Sequence, residues 1–249
     1  MLMLVGAVGS GKTSLLMALL GELPTFSAEG VRLRPWKGAG RLAYAAQEPW
    51  ILSATLRQNI VLGAPLDEAR YAAVLHATCL DVDLAQLPRR DDTEVGERGV
   101  ALSGGQRARL GLARLAYRHD ADTYIVDDPL SALDPRVGRQ VFERTLCGML
   151  GGTRRILVTH QLQYLRDAAV DQVAVLSAGQ LAASGRYDEV RASGALGSMR
   201  SDDATDGARE GTDANARADA RASAAGAVLV PAPAAVRGVG ASEVGASEV

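Results

Sequence analysis

GAVGSGKT, residues Gly6–Thr13, is the stretch of this sequence that decides the fold. It matches the pattern GxxxxGK[ST] in full and stands between the apolar run Met1–Val5 and the amphipathic start Leu15–Leu20. Glycines let backbone N–H groups converge on phosphate oxygens, and the N-terminus of the following helix adds its positive dipole end. A chance glycine turn before a helix would fit the string alone, but strand, loop and helix in this order predict a phosphate-binding loop.

The side chains of this loop have predictable roles around a nucleoside triphosphate. Lys12 is expected to reach the β- and γ-phosphates, and the hydroxyl of Thr13 to ligate Mg²⁺. ATP and Mg²⁺ are therefore the predicted cofactors. The residues expected to contact them from this part of the chain are Gly6, Val8, Gly9, Ser10, Gly11, Lys12, Thr13 and Ser14.

A second feature is the apolar strand Thr123–Val126, which ends in the carboxylates of Asp127 and Asp128. Paired acids at a buried strand end resist joint ionisation unless a cation lies nearby, so Asp127 is predicted to sit on the magnesium side of the site. An Asp-Asp-Pro turn is the alternative when this stretch is taken alone. Asp128 occupies the place of a water-activating base. The Asp side chain is one methylene shorter than that of Glu, so its carboxylate would lie about 1–1.5 Å farther from an attacking water. We therefore expect this site to bind ATP better than it cleaves it.

A third feature is Leu102–Gln106, LSGGQ, followed by a basic stretch that can form a helix. Ser-Gly-Gly at a helix N-terminus offers backbone donors and a hydroxyl to an anion. The chain would then have two phosphate-binding helix ends, and only the first has a phosphate-loop lysine, Lys12. The economical explanation is that the second end serves ATP held by another domain.

Short apolar runs alternate with amphipathic stretches from Met1 to about Val190, which predicts an α/β fold with a mostly parallel sheet covered on both faces. A hairpin is expected to close the domain, with its second strand at Leu181–Ala183. The predicted strands are Met1–Val5, Arg41–Ala45, Thr123–Val126, Arg155–Val158 and Gln172–Leu176. The predicted helices are Gly11–Leu20, Leu66–Thr78, Gly105–Tyr117, Pro135–Met149 and Leu162–Ala168.

The order of these motifs resembles that of ABC nucleotide-binding domains. The phosphate loop is followed by Gln47, LSGGQ, the acidic strand, Ser131–Asp134 (SALD) and Thr159-His160. The resemblance covers nearly everything from Met1 to Val190, and it is closer still to the first such domain of subfamily C, the multidrug-resistance-associated group. The strings that carry this are LLGE at 19–22, QEPWI at 47–51, ATLRQNI at 54–60, TEVGERG at 93–99 and DDPLSALD at 127–134. In the first domain of that group an Asp commonly replaces the catalytic Glu, as at Asp128.

The resemblance implies further roles. Gln47 would sense the γ-phosphate and Mg²⁺, making Thr13, Gln47 and Asp127 the metal set, and His160 would hydrogen-bond the γ-phosphate. The catalytic set would be Asp128, His160 and Gln47, although His160 alone also fits a capped polar residue after a strand. The stretch Trp50–Leu62 would line the surface that docks on membrane domains. The residues expected to act on a partner's nucleotide are Leu102, Ser103, Gly104, Gly105, Gln106 and Asp134.

The domain division predicted from the sequence is an ABC-type ATP-binding domain at 1–194, with its helical signature subdomain at about 50–120, and a disordered low-complexity tail at 195–249. In the tail Gly240–Val244 is repeated as Gly245–Val249, and few large apolar residues are available to offset chain entropy. Family members place antiparallel strands, one with an adenine-stacking aromatic, before the phosphate loop. Those strands are missing from this sequence, as are membrane segments, so we expect either a fragment of a longer transporter or a truncated gene model.

Composition limits the other possibilities. The net charge of −2 gives no basic field for nucleic acid, so no nucleic-acid partner is expected. Cys79 and Cys147 lie far apart, which argues against a disulfide framework. The expected partners are a second ABC nucleotide-binding domain and the transmembrane domains of a transporter, which would hold the chain at the cytoplasmic face of a membrane. Two alternatives stay open: a soluble ABC ATPase without a membrane partner, and a non-catalytic nucleotide-binding regulatory module.

Overall fold

The computed structural model describes residues 1–28, 30, 32, 40–97 and 99–197. From residue 198 onward, the predicted tail at 195–249 lies outside the described residues.

Six strands form the main sheet in the order β2-β5-β6-β1-β7-β8, and every neighbouring pair is parallel except β7 with β8. The short strands β3 and β4 form a separate antiparallel pair. The strand bounds are β1 Leu2–Gly6, β2 Leu42–Ala45, β3 Ala54–Thr55, β4 Glu94–Val95, β5 Thr123–Asp127, β6 Arg154–Val158, β7 Gln172–Ser177 and β8 Gln180–Gly185. The predicted α/β fold with a mostly parallel sheet is confirmed, and so is its closing hairpin.

The helices are α1 Lys12–Leu20, α2 Leu56–Val61, α3 Glu68–Ala77, α4 Leu80–Leu84, α5 Gly104–Tyr117, α6 Pro135–Val141 and α7 Tyr187–Ala192. Helix α6 continues with wider π-type winding through Phe142–Met149. The helix predicted at Leu162–Ala168 is instead a five-residue 3₁₀ helix, Leu162–Arg166. Helices α2, α4 and α7 were not predicted. A reciprocal Thr55–Gln58 capping box starts α2, so its T-x-x-Q spacing was a usable signal.

Alternate residues of each strand face opposite sides of the sheet, and the two faces carry different helices. On one face Leu16 of α1 packs with Leu4 and its neighbours. On the other face Leu112 of α5 packs with the cluster that contains Met3. The helix after the phosphate loop and the helix that begins at the signature are therefore separated by the sheet.

A smaller core joins α2, α3 and α4 to the second flank of α5. Helix α5 contributes Leu110 and Ala113 to this core and Leu112 to the main one, so it connects the helical part to the sheet. Among the described helices none has both the length and the apolar character needed to cross a membrane.

Candidate nucleotide site

Four neighbouring strands carry the predicted site at their carboxyl ends. The strands β2, β5, β6 and β1 are parallel and adjacent in that order, so the residues that follow them meet at one edge of the sheet. Gln47 follows β2, Asp128 follows β5, His160 follows β6, and the phosphate loop follows β1. This edge is where open α/β sheets bind their ligands.

The phosphate loop takes a backbone path that side chains resist. Gly9 and Gly11 have φ of 79° and 96°, in the left-handed region that favours glycine. The N–H of Gly179, in the β7–β8 turn, donates to the carbonyl oxygen of Ser10 at 3.1 Å and ties the loop to the hairpin. The role of Gly179 was not predicted, because this contact spans the fold and leaves no local pattern.

Lys12 and Ser10 make the interior of the loop suited to an anion. The ammonium of Lys12 donates to the carbonyl oxygens of Gly6 at 2.8 Å and Ala7 at 2.7 Å, which hold the charge inside the loop. The hydroxyl of Ser10 is buried and has no hydrogen-bond partner within the described residues. A buried hydroxyl without a partner costs free energy, so this one fits a ligand oxygen. At the rim Val8 and Ser14 are exposed.

Thr13 and Asp127 form the hard-oxygen part of the site. Thr13 Oγ1 donates to Asp127 Oδ2 at 3.0 Å. Burial raises the pKa of the Asp127 carboxyl above its ordinary value, the hydrogen bond from Thr13 opposes that shift, and the nearby charge of Asp128 adds to it. A hydroxyl and a carboxylate are ligands that Mg²⁺ accepts, and a divalent cation here would offset the cost of an ionised Asp127.

Asp128 is held through its backbone in a left-handed conformation, with φ of 43°. Its N–H donates to the carbonyl oxygen of Val158 at 3.0 Å, and its own carbonyl oxygen accepts from Ser131 Oγ at 2.9 Å. The side chain is buried, and its Oδ1 has no partner among the described residues. Short polar side chains such as Asp tolerate this backbone better than most.

His160 and Gln47 lie on either side of the acidic pair. His160 is half-buried. The largest effect on the pKa of Asp127 is burial, which raises it, and His160 is close enough for its charge to lower that pKa in part. Gln47 is exposed, two residues beyond the end of β2. Thr13, Asp127 and Asp128 thus come together with His160, while Gln47 stands at the adjoining strand end.

The signature residues lie at the start of α5, on the other face of the sheet. Ser103 Oγ accepts from the N–H of Gln106 at 3.2 Å, and Gln106 Oε1 accepts from the N–H of Ser103 at 3.0 Å, a reciprocal capping box. Leu102 and Gly105 are half-buried and Gly104 is exposed.

Asp134 lies close behind the signature turn. Its Oδ1 caps α6 by accepting from the N–H groups of Arg136 at 3.1 Å and Val137 at 3.0 Å. A Cβ added at Gly105 would lie 3.1 Å from the carbonyl oxygen of Ala132, so the loop that leads to Asp134 lies directly under the signature.

The fold and this edge of the sheet define the class: an α/β phosphate-loop nucleoside triphosphatase. A model of the ABC transporter family matches residues 1–131, and the chain belongs to that family.

Relatives narrow the likeness to subfamily C, as the sequence predicted. The chain is 47% identical over 195 residues to human ATP-binding cassette sub-family C member 4, covering 78% of this chain and 14% of that protein. It is 48% identical over 189 residues to multidrug resistance protein mrp-7 of Caenorhabditis elegans, covering 75% and 12%. It is 44% identical over 205 residues to the probable multidrug resistance-associated protein lethal(2)03659 of Drosophila melanogaster, covering 82% and 14%. The chain therefore corresponds to an ATP-binding domain of the subfamily C type, and it spans about an eighth of the relatives' length.

Proposed function

We propose that this chain binds MgATP in its phosphate loop and works as one of a pair of ATP-binding domains that power export across a membrane. The observation that supports the proposal is that α1 and α5, the two helices whose starts the sequence predicts to bind phosphate, pack on opposite faces of the sheet, and the phosphate-loop lysine, Lys12, begins only α1. A helix end that lies across the sheet from Lys12 can serve a nucleotide only on another domain.

At the chain's own site, Lys12 is proposed to hold the β- and γ-phosphates, and Thr13 with Asp127 to hold Mg²⁺. Backbone N–H groups from Gly9 to Thr13 would complete the phosphate cradle. MgATP supplies a phosphoanhydride bond whose cleavage is favourable but slow without a positioned water. All of these groups bind or orient the phosphates and the Mg²⁺, and phosphate-loop enzymes achieve most of their catalysis by such positioning and charge stabilisation.

Asp128, His160 and Gln47 are proposed to act on the attacking water and the γ-phosphate. The buried Oδ1 of Asp128 has no partner within the described residues, so it is available to accept a proton or a hydrogen bond. Its side chain is one methylene shorter than that of Glu, so the carboxylate stops short of the place that a longer base would reach. We propose that this site holds ATP well and hydrolyses it slowly.

The second helix end is proposed to close over a partner's nucleotide. Leu102–Gln106 would present it, and Asp134 would contribute from the loop beneath. Closure of the two domains and their reopening after hydrolysis would shift the attached transmembrane domains between conformations. Docking of those domains on Trp50–Leu62 would place the chain at the cytoplasmic face of a membrane, with residues 1–194 as the working domain.

The experiment uses the full-length protein that carries this chain, with nucleotide trapping resolved for each site. Lys12→Ala is expected to abolish ATP binding at this chain's own phosphate loop, and retained binding there would overturn the assignment. Ser103→Arg is expected to stop hydrolysis at the partner's site, while Ala101→Arg, which adds the same charge at an exposed position nearby, is the control. Unchanged partner turnover in Ser103→Arg would refute the paired arrangement.

A second candidate is a nucleotide-binding regulatory module that does not hydrolyse ATP, and the observation that favours it is Asp128. Purified protein that binds ATP with no turnover, with or without its partner, would support that candidate. Measurable turnover that disappears in Asp128→Asn would support an active site instead.

A further inference from the structure

Asp83, at the end of the short helix α4, lies against the signature turn of α5. Its Oδ1 accepts a hydrogen bond from Gln106 Nε2 at 3.0 Å. The guanidinium of Arg109 binds both carboxylate oxygens, with Nη1 to Oδ2 at 2.5 Å and Nη2 to Oδ1 at 3.1 Å. Both side chains are mostly buried, with 18% of Asp83 and 12% of Arg109 exposed, so the pair is shielded from competing water.

The carboxylate of Asp83 decides which way the amide of Gln106 points. A carboxylate only accepts hydrogen bonds, so it takes the NH₂ end of the amide and turns the oxygen away. That oxygen is Gln106 Oε1, which accepts from the N–H of Ser103 at 3.0 Å. A flipped amide would place an oxygen against Asp83 and an NH₂ group against the N–H of Ser103, two repulsive contacts.

The orientation of Gln106 in turn sets the donors at the signature. The capping box uses the N–H groups of Ser103 and Gln106 within the chain. The hydroxyl of Ser103 accepts one of them, so its own proton is directed away from the helix. The N–H groups of Gly104 and Gly105 belong to the first turn, where helices leave donors without intrahelical partners. A fixed capping box therefore aims these donors outward together.

We infer that Asp83 is a positioning residue for the nucleotide of the partner domain. It acts through Gln106, holding the start of α5 in the conformation that meets the partner's ATP, and Arg109 holds Asp83 in place. This inference rests on the proposed function, because it assumes that the signature closes over a nucleotide on another domain. It adds a residue that lies outside the signature motif, 19 positions before its first residue, Leu102.

The test compares Asp83→Ala with Asp83→Asn in the full-length protein, using photolabelling with 8-azido-ATP at each site. Both changes weaken the contact with Arg109, but Asn keeps an oxygen that can accept from Gln106. Asp83→Ala is expected to weaken labelling at the partner's site by about fivefold, as for loss of a helix cap, and to leave this chain's own site unchanged. Asp83→Asn is expected to stay within about twofold of the wild type. Asp81→Ala removes a half-buried carboxylate of the same helix, which contacts His76 instead of the signature, and is the control.

A second measurement needs no partner. Exchange of the Ser103 amide proton, followed by NMR in the chain without nucleotide, is expected to quicken in Asp83→Ala and to stay slow in Asp83→Asn. If Asp83→Asn loses as much labelling as Asp83→Ala, with equal losses of thermal stability, Asp83 only supports the fold and the inference is wrong. If Ser103→Arg leaves the partner's site intact, the proposed function fails instead. If Ser103→Arg impairs the partner's site but Asp83→Ala does not, the role of Asp83 is refuted and the proposed function stands.

Discussion

The guanidinium of Arg114 lies over the indole ring of Trp50, 3.7 Å from its centroid, and joins the signature helix to the segment that follows Gln47. Arg114 is 3% exposed and donates to the carbonyl oxygen of Asn59 at 2.8 Å and that of Trp50 at 3.1 Å. Burial lowers the pKa of Arg114 to about 10, which leaves it charged at neutral pH. Because this buried guanidinium is held mainly by carbonyl oxygens and an aromatic ring, the stability of the domain depends on the shape of the side chain at position 114.

Replacement of Arg114 is therefore expected to destabilise the domain. Arg114→Met should lower the free energy of unfolding by about 2–4 kcal/mol, because it leaves buried carbonyl groups without donors. Arg114→Lys keeps the charge but loses the planar fork, so an intermediate loss is expected. Urea unfolding followed by Trp50 emission in a Trp36→Phe background measures both. Equal stability of Arg114→Met and the wild type would contradict the assigned contacts.

Helix α5 also meets the segment after Gln47 at Gly111. A Cβ at Gly111 would lie 2.5 Å from Cγ of Pro49, closer than real Cβ contacts come. In an open helix Gly→Ala stabilises by about 1 kcal/mol, but here the clash is expected to reverse the sign to a loss of about 1–2 kcal/mol.

Gly138 of α6 is the matched control for Gly111. A Cβ at Gly138 would lie 3.4 Å from the hydroxyl of Tyr164, an ordinary contact. Gly138→Ala is expected to leave stability unchanged or raise it by up to about 1 kcal/mol. The stabilities of Gly111→Ala and Gly138→Ala are compared by thermal unfolding in the same buffer. Stabilisation by Gly111→Ala would show that Pro49 does not press on α5.

Asp128→Glu is expected to speed hydrolysis at this chain's own site. The longer side chain moves the carboxylate toward the water that it would activate, and a misplacement of 1 Å costs about a hundredfold, so a gain of about 10- to 100-fold in turnover is expected. The backbone of Asp128 is left-handed, which suits Asp better than Glu, so a stability loss of about 1 kcal/mol should accompany the gain. Single-site turnover with the partner's site inactivated is the measurement. Unchanged turnover would mean that base length does not limit the reaction.

Asp127→Asn is expected to stabilise the chain without nucleotide while removing its metal site. Burial raises the pKa of Asp127 in the folded state above its unfolded value. The favourable contribution of the protonated carboxyl is thus fully present below an unfolded pKa of about 3.9 and is lost as the pH rises through the folded pKa. The gain from Asn should therefore be largest at pH 7 and shrink toward pH 4.

Urea unfolding of wild type and Asp127→Asn at the two pH values measures this difference. Saturating MgATP should reverse the order at pH 7, since only the wild type keeps the carboxylate for the cation. A gain that grows toward acid pH would contradict the raised pKa of Asp127.

The amino-acid sequence alone determined the parts of this protein whose chemistry is local. GAVGSGKT, the strand that ends at Asp127 and the LSGGQ helix start each consist of contiguous residues, so their types and spacing predict both structure and ligand. The wider likeness to subfamily C was also recognisable, because it rests on short strings in a preserved order. The irregular segments were predicted less well. The turn after β6 became a short 3₁₀ helix because packing, rather than periodicity, shapes so short a segment.

Only the tertiary structure decided what these motifs do together. Thr13 and Asp127 are 114 residues apart, and they meet because β5 and β6 pair beside β1, an order of strands that no local pattern specifies. The sheet likewise separates α1, which begins at Lys12, from α5, which follows Ser103, and the packing of α4 on α5 brings Asp83 to Gln106. Strand order and helix packing are set by the burial of apolar surface between distant segments, so they become visible only when the chain is folded.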